Sequence, residues 1–299
     1  MLLSTQTDFL SRAFGDEEAL RRVRAAGFDA ADFAFFHYGK ARRPNPLLLP
    51  EKAFLAYFSG LRALCGRMGL PIGQTHAPFP LYRGDGQDEA RLELQRRAIW
   101  ASALLGAPYM AVHPAKPREY RPETMREEAF ELNLRLFGGL IPCLEAHGVV
   151  LALENLFTYG EDGEIGEAPG SLPAELNRLI DALNEKGPRF AACLDTGHAL
   201  MLGVKPQAFA LKLGKRLKIL HAQDNDGRHD QHLLPGLGKV DWPKFLKALK
   251  QAKYEGSFSL EADQFPAAFG PGNASESYCL MHGVGRNLVA GRNETRNAK

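Results

Sequence analysis

Apolar residues in this chain gather into eight short runs, at 2–5, 28–35, 72–76, 109–113, 149–154, 190–195, 217–221 and 257–261. Near-continuous apolar character over so few residues is the pattern of a strand covered on both faces. The last six runs all finish on His, Asp or Glu, residues that hold metal ions or move protons. Between the runs the period changes to that of a helix. The segment DEEALRRVRAAG from Asp16 has acids in its first turn, arginines later and Gly27 as a stop signal. Residues 50–70 place Phe54, Leu55, Phe58, Leu61, Leu64, Cys65 and Met68 on one face and stop at Pro71. Further helices are predicted over 87–105, 122–147, 172–186, 205–215, 242–252 with Asp241 as N-cap, and 275–289.

Strict alternation of strand and helix predicts an α/β fold with a parallel sheet, either opened as a doubly wound layer or closed as a (β/α)8 TIM barrel. Eight units and the placement of the polar residues favour closure. In a barrel every strand's carboxyl end opens onto one face, so His76 and Glu261 can converge; in an open sheet they would spread along a line. A single domain is expected over 1–290, with 291–299 a polar tail ending in NETRNAK.

The composition fits that picture, since 299 residues that are 45% apolar can bury one large core. Lys plus Arg number 37 against 35 Asp plus Glu, with the signs interspersed, so no standing field argues for a membrane or nucleic-acid partner. A small molecule is the expected partner, with self-association into a homo-oligomer left open. Cys65, Cys143, Cys193 and Cys279 lie far apart, without metal-site or redox spacing, which suits reduced thiols in the cytoplasm. The opening MLLSTQTDFL lacks the basic and long apolar stretches of a signal peptide or membrane span.

The strand ends carry the chemistry. VVLALEN delivers Glu154 and Asn155, FAACLDTGHAL delivers Asp195 and His198 through a turn in which Gly197 is read as the bend, LKILHAQDNDG delivers His221, and SFSLEAD delivers Glu261. Three carboxylates and one imidazole form a hard, mostly oxygen site that suits Mn²⁺ best, with Mg²⁺ or Co²⁺ acceptable and Zn²⁺ tolerated. Acids buried at the ends of apolar strands are costly without a cation, which weighs against a purely structural role for these four. A lone buried histidine is more often a hydrogen-bonded structural residue, so His76 and His113 are read either as ligands or as pocket lining. His37, His147, His229 and His282 are placed outside the site.

With THAPF at 75–79, VHP at 112–114, LALEN, CLDTGH and HAQDNDGRHDQHLLPGLGKVDW at 221–242 in this order, the chain resembles the xylose isomerase-like, AP endonuclease family 2 barrels, from STQTD to about residue 289. That family includes sugar and sugar-phosphate isomerases and epimerases. The resemblance implies that Glu154, Asp195, His221 and Glu261 are the ligands of a single metal and that His198 holds a substrate oxygen. The same family includes endonuclease IV, a trinuclear zinc phosphodiesterase, whose ligands find counterparts in His76, His113, Glu154, Asp195, His198, His221, Asp230, His232 and Glu261. Leu237 departs from the family, which often has an acid at this Gly-x-Gly position.

The rim separates these two readings. A nuclease must grip many phosphates, yet Arg83, Lys116, Arg118, Arg121 and Arg228 share the rim loops with Asp85, Asp88, Glu119, Glu161, Asp162, Glu164 and Glu167. The expectation is therefore a divalent-metal-dependent sugar or sugar-phosphate isomerase or epimerase, with Glu154 and Glu261 moving a proton through a metal-stabilised enediolate. His198 and Arg228 would hold substrate oxygens, His76, His113, Asp230 and His232 would bind substrate or further metal, and Phe79, Phe157 and Trp242 would supply apolar walls. An inositol-type dehydratase would use nearly the same proton abstraction. The alternatives are a phosphodiesterase acting on abasic DNA and a barrel that binds a sugar without turning it over.

Overall fold

In the computed structural model, which describes residues 1–39, 45–160 and 163–291, the eight runs become eight parallel strands. They are β1 (Leu3–Gln6), β2 (Ala30–Ala34), β3 (Ile72–His76), β4 (Tyr109–Val112), β5 (Val150–Glu154), β6 (Phe190–Asp195), β7 (Leu217–His221) and β8 (Phe258–Leu260). Each pairs with its neighbours in chain order, and β1 returns to β8 with Leu3 opposite Phe258. The last seam closes just beyond β7, where Ala222 bridges Leu260, its N–H donates to Ser259 O at 2.7 Å and its carbonyl accepts from the Glu261 N–H at 3.1 Å. The result is a single-domain (β/α)8 barrel.

Alternation along each strand sorts the core into two shells, because successive side chains point to opposite faces. Leu151, Leu153, Leu194 and Leu220 point outward and join the large cluster beneath the helices, with Phe28, Phe33, Phe35, Phe54 and Phe58. Ala111, Ala152, Ala191, Cys193 and Ile219 point inward as a separate, small-residue plug, packed against Tyr109 and Val150. The inward positions one step further along β5, β6 and β7 are Glu154, Asp195 and His221, all buried. The same period that fills the barrel thus places the acids above its floor.

The helices follow the predicted order with four differences, one of them the unpredicted short helix Gln264–Phe269. The segment 122–147 is two helices, Pro122–Gly138 and Ile141–His147, because the Gly138–Gly139 pair ends one and Pro142 starts the next. A helix over Asp8–Phe14 precedes the expected one at Asp16–Ala25. The Asp-Thr-Gly-His stretch is the first turn of a short helix, Thr196–Met201, rather than a bend. All four cysteines are free thiols. Among the described residues no helix is long and apolar enough to cross a membrane. Glu161, Asp162 and most of the predicted tail, 292–299, lie outside the described residues, as does the side chain of His37.

Candidate metal centre

Each of the four expected ligands occupies the carboxyl end of its strand or the position just after it, and their side chains meet. One ligand atom from each of Glu154, Asp195, His221 and Glu261 lies within 4.8 Å of the others. His221 Nδ1 is 3.1 Å from both Glu154 Oε2 and Glu261 Oε2. Four atoms, Glu154 Oε2, Asp195 Oδ2, His221 Nδ1 and Glu261 Oε2, are buried with no hydrogen bond. Buried polar atoms are almost always satisfied, so four orphans gathered from four strand ends could together hold a cation. The donor set, three carboxylate oxygens and one imidazole nitrogen, fits a divalent ion of the Mn²⁺ or Zn²⁺ kind.

For Glu261 and Asp195 the second carboxylate oxygen is tied down, which is what orients the first. Glu261 Oε1 accepts from Gln6 Nε2 at 2.5 Å. Asp195 Oδ1 caps the short helix by accepting the His198 N–H at 2.7 Å, and Asn155 pairs with the Asp195 backbone through both N–H and carbonyl. His221 Nε2 faces Asp32 Oδ2 at 3.5 Å, and that oxygen also accepts from Gln74 Nε2 at 2.7 Å and Ser259 Oγ at 3.0 Å. Sequence reasoning missed Gln6, Asp32, Gln74 and Gln223. The available signal was the polar residues inside runs that are otherwise apolar.

Around this centre stand the other predicted residues. His76 Nε2 and His113 Nε2 lie 3.4 and 3.5 Å from Glu154 Oε2, and His198 Nδ1 is 3.4 Å from Glu154 Oε1. Asp230 bridges His198 and His232, at 3.7 and 3.2 Å, and takes a hydrogen bond from Gln223 at 2.9 Å. His232 Nδ1 donates to the Glu261 carbonyl at 2.9 Å and lies 3.5 Å from Asp263, a second acid that sequence reasoning did not name. His232 holds a positive φ of 43°, a conformation uncommon outside glycine that the surrounding contacts must enforce.

Arg228 stands exposed on its loop, with its backbone N–H donating to Asp226. One expectation is corrected. Trp242 is not a pocket wall: it is buried against Phe245 and Phe258, and its Nε1 donates to Asp224. Asp224 also accepts the N–H groups of Gly236 and Val240, so it organises the LPGLGKVDW loop. Phe79 and Phe157 do stand at the site, stacked on His113 at 4.5 Å and edge-on to His198 at 5.2 Å. Of the histidines placed outside, His147 stacks on Trp100, His229 holds Asp226 and His282 packs against Phe28.

Crowding of like charge shows in the titration of the centre. Burial, reinforced by the charges of Glu154 and Asp195, pushes Glu261 up to about 7 against the pull of His221 and His232. Burial also raises Asp195; it opposes the ionised Glu154 as well, but the His221 cation and the nearby His113 and His76 overcome it and hold Glu154 well below the usual carboxylate range. Burial opposes protonation of His198, but Asp195, Asp230 and Glu154 outweigh it and lift the imidazole to about 10. Three buried acids gathered here call for positive charge, which the surrounding imidazoles or a bound cation can supply.

A family profile described as xylose isomerase-like TIM barrel matches residues 20–277. An uncharacterized protein of Methanocaldococcus jannaschii is 30% identical over 197 residues, 62% of this chain and 63% of its own length. The inosose dehydratase of Lacticaseibacillus casei is 27% identical over 115 residues, 33% of this chain and 38% of its own length. The chain thus spans less than two thirds of these curated relatives. Among solved structures, a D-tagatose 3-epimerase-like protein superposes with a TM-score of 0.73 at 20% identity, covering 98% of this chain and 99% of that one. A D-psicose 3-epimerase crystallised with D-fructose gives 0.71 at 14% identity, covering 97% and 99%. An IOLI protein with a bound zinc atom gives 0.73 at 16% identity, covering 99% and 100%.

Proposed function

We propose, for a chain that belongs to the xylose isomerase-like TIM barrel family, a divalent-metal-dependent sugar isomerase or epimerase whose ion is held by Glu154, Asp195, His221 and Glu261. The observation that carries this reading is the meeting of four buried, unsatisfied ligand atoms from four strands. A bound divalent ion would supply Lewis acidity toward a carbonyl and its neighbouring hydroxyl. The chain's own residues do the rest. Glu154 and Glu261 stand at the centre, and a carboxylate of one removes the proton beside the carbonyl while the other, or the same one, returns it. A base on each side of the carbon gives inversion; one base working on adjacent carbons gives aldose-ketose exchange. His198, whose Nδ1 donates to the Asn155 carbonyl at 2.9 Å, turns Nε2 toward Asp230 and the opening, where it can donate to a substrate oxygen. Phe79 and Phe157 cover the centre against water.

The experiment is a panel of ketoses in D₂O with Mn²⁺, read for deuterium at the carbon beside the carbonyl. Glu154→Gln and Glu261→Gln are each expected to reduce exchange by at least about 10²-fold, the worth of a positioned base, with the fold retained. Exchange persisting in both variants removes the mechanism. Loss of water after the same abstraction would make the protein a dehydratase like its Lacticaseibacillus casei relative.

A second reading has one observation in its favour. His198 with Asp230 and His232 also bring ligand atoms within 4.8 Å, as do His76, Glu154 and His221, the last two shared with the centre. This is the arrangement a trinuclear zinc phosphodiesterase would need. Three tightly held zincs per chain with nicking of an abasic duplex would support it; about one exchangeable ion without nicking would dismiss it.

A further inference from the structure

Beside the metal centre a cavity of about 480 Å³ opens between the loops that follow β3 and β4 and the hairpin that follows β5. We propose that this cavity binds the anionic far end of an open-chain sugar, a phosphate monoester or a carboxylate. The inference rests on the reading above, in which the neighbouring ligands engage the carbonyl end.

His113 belongs to both places, since it lines the cavity and lies 3.5 Å from Glu154 Oε2. Phe79, stacked on His113, and Phe157 line the same passage, so a carbon chain leaving the centre runs between apolar faces. Arg83, Lys116 and Arg118 also line it. Lys116 Nζ donates to Thr158 Oγ1 at 2.8 Å, which holds the ammonium against the hairpin side of the cavity. Arg83 and Arg118 are exposed and form no ion pair among the described residues, which leaves both guanidinium groups available to a ligand in the cavity.

Among the described residues, several neighbouring acids are held by other cations. Asp85 and Asp88 are taken by Arg91 at 2.5 and 2.6 Å, and Asp88 further accepts the backbone N–H groups of Arg83 and Gly84. Glu167 and Glu175 belong to Arg126. Among the described residues, Glu119 lines the cavity together with the cations Arg83, Lys116 and Arg118. A neutral sugar needs hydroxyl-bonding amides and acids, not unpaired guanidinium groups. Forked guanidinium donors match the oxygens of a phosphate or carboxylate. One anionic group satisfies such a site, unlike the extended backbone of a duplex.

The test titrates D-fructose, D-fructose 6-phosphate, D-fructuronate and inorganic phosphate into the full chain freed of metal, then repeats the sugars with Mn²⁺ while following proton exchange. A phosphorylated or carboxylated probe should bind at least tenfold more tightly than D-fructose, about 1.4 kcal/mol. Which of the two does so identifies the anion. The preference should shrink with added salt and collapse toward unity in Arg83→Ala/Arg118→Ala, with Arg118→Glu reversing it; both changes lie on exposed loops, and melting temperatures check the fold. Equal affinity for all three sugars, or a preference untouched by both variants, overturns the proposal. Anion preference without exchange on any probe would leave the cavity assigned and remove the isomerase reading; exchange without preference would do the reverse.

Discussion

An imidazole can give one nitrogen to a cation only when its proton sits on the other, and in His221 the group that faces this other nitrogen is Asp32. The Asp32 carboxylate is wholly buried and faces Nε2, leaving Nδ1 toward the three acids. Asp32→Asn keeps the shape but can present an N–H to Nε2, so Mn²⁺ affinity should fall about 10- to 100-fold, the usual cost of losing such a partner. An ion titration of the folded variant showing wild-type affinity would refute this role for Asp32. Gly197 is a second case in which a neighbour decides. A Cβ there would lie 2.2 Å from the Gln223 side-chain amide, which holds Asp195 and Asp230. Gly197→Ala should displace Gln223, cost about 2 kcal/mol in unfolding experiments as overpacking does, and weaken ion binding. The acids and histidines at strand ends were legible because the run pattern gives their position and direction. Asp32, Gln223 and the reason for Gly197 were not, because each depends on a contact with a distant part of the chain, and no local period records such contacts.

Helices read well from sequence where one face is apolar throughout, and less well where backbone chemistry interrupts them. The helix Glu51–Met68 shows both kinds of glycine. Gly60 and Gly66 are exposed interior positions where an added Cβ would touch nothing within 4 Å, so they only loosen the unfolded and folded chain. Gly60→Ala and Gly66→Ala should each stabilise by about 0.5–1 kcal/mol, seen as a higher denaturation midpoint. Gly69 is different: it ends the helix at φ +61°, a left-handed conformation that alanine resists, so Gly69→Ala should destabilise by about 1 kcal/mol. The same sign for all three would contradict this account. The split of residues 122–147 follows from the same chemistry: the Gly-Gly pair and Pro142 were visible, but the apolar period runs across them and conceals the break.

Closure of the barrel is the feature on which the site depends, because an open sheet would leave Glu261 far from Glu154. Eight alternating runs made the fold class legible, and the convergence of strand-end acids favoured closure. The seams themselves were not legible, since β1 and β8 meet by backbone pairing between the two ends of the sheet. One side chain clasps that region. Asp29 Oδ2 accepts the Leu3 N–H at 2.8 Å and is also 2.8 Å from Arg286 Nη2 on the helix Ala274–Val289, tying the first strand to the last helix. Partial burial raises this carboxyl, but the Leu3 amide and Arg286 outweigh burial and hold it below the usual range. A carboxyl lowered in the folded state stabilises fully above its unfolded value near 3.9, and that contribution disappears as pH falls through the folded value. Asp29→Asn should therefore cost about 1 kcal/mol at neutral pH, discounted because both side chains are partly exposed. The gap between variant and wild type, measured by denaturant unfolding, should stay constant from pH 7 to about 5 and narrow below about 4. A gap that widened on acidification would mean that Asp29 is held by something other than its charge.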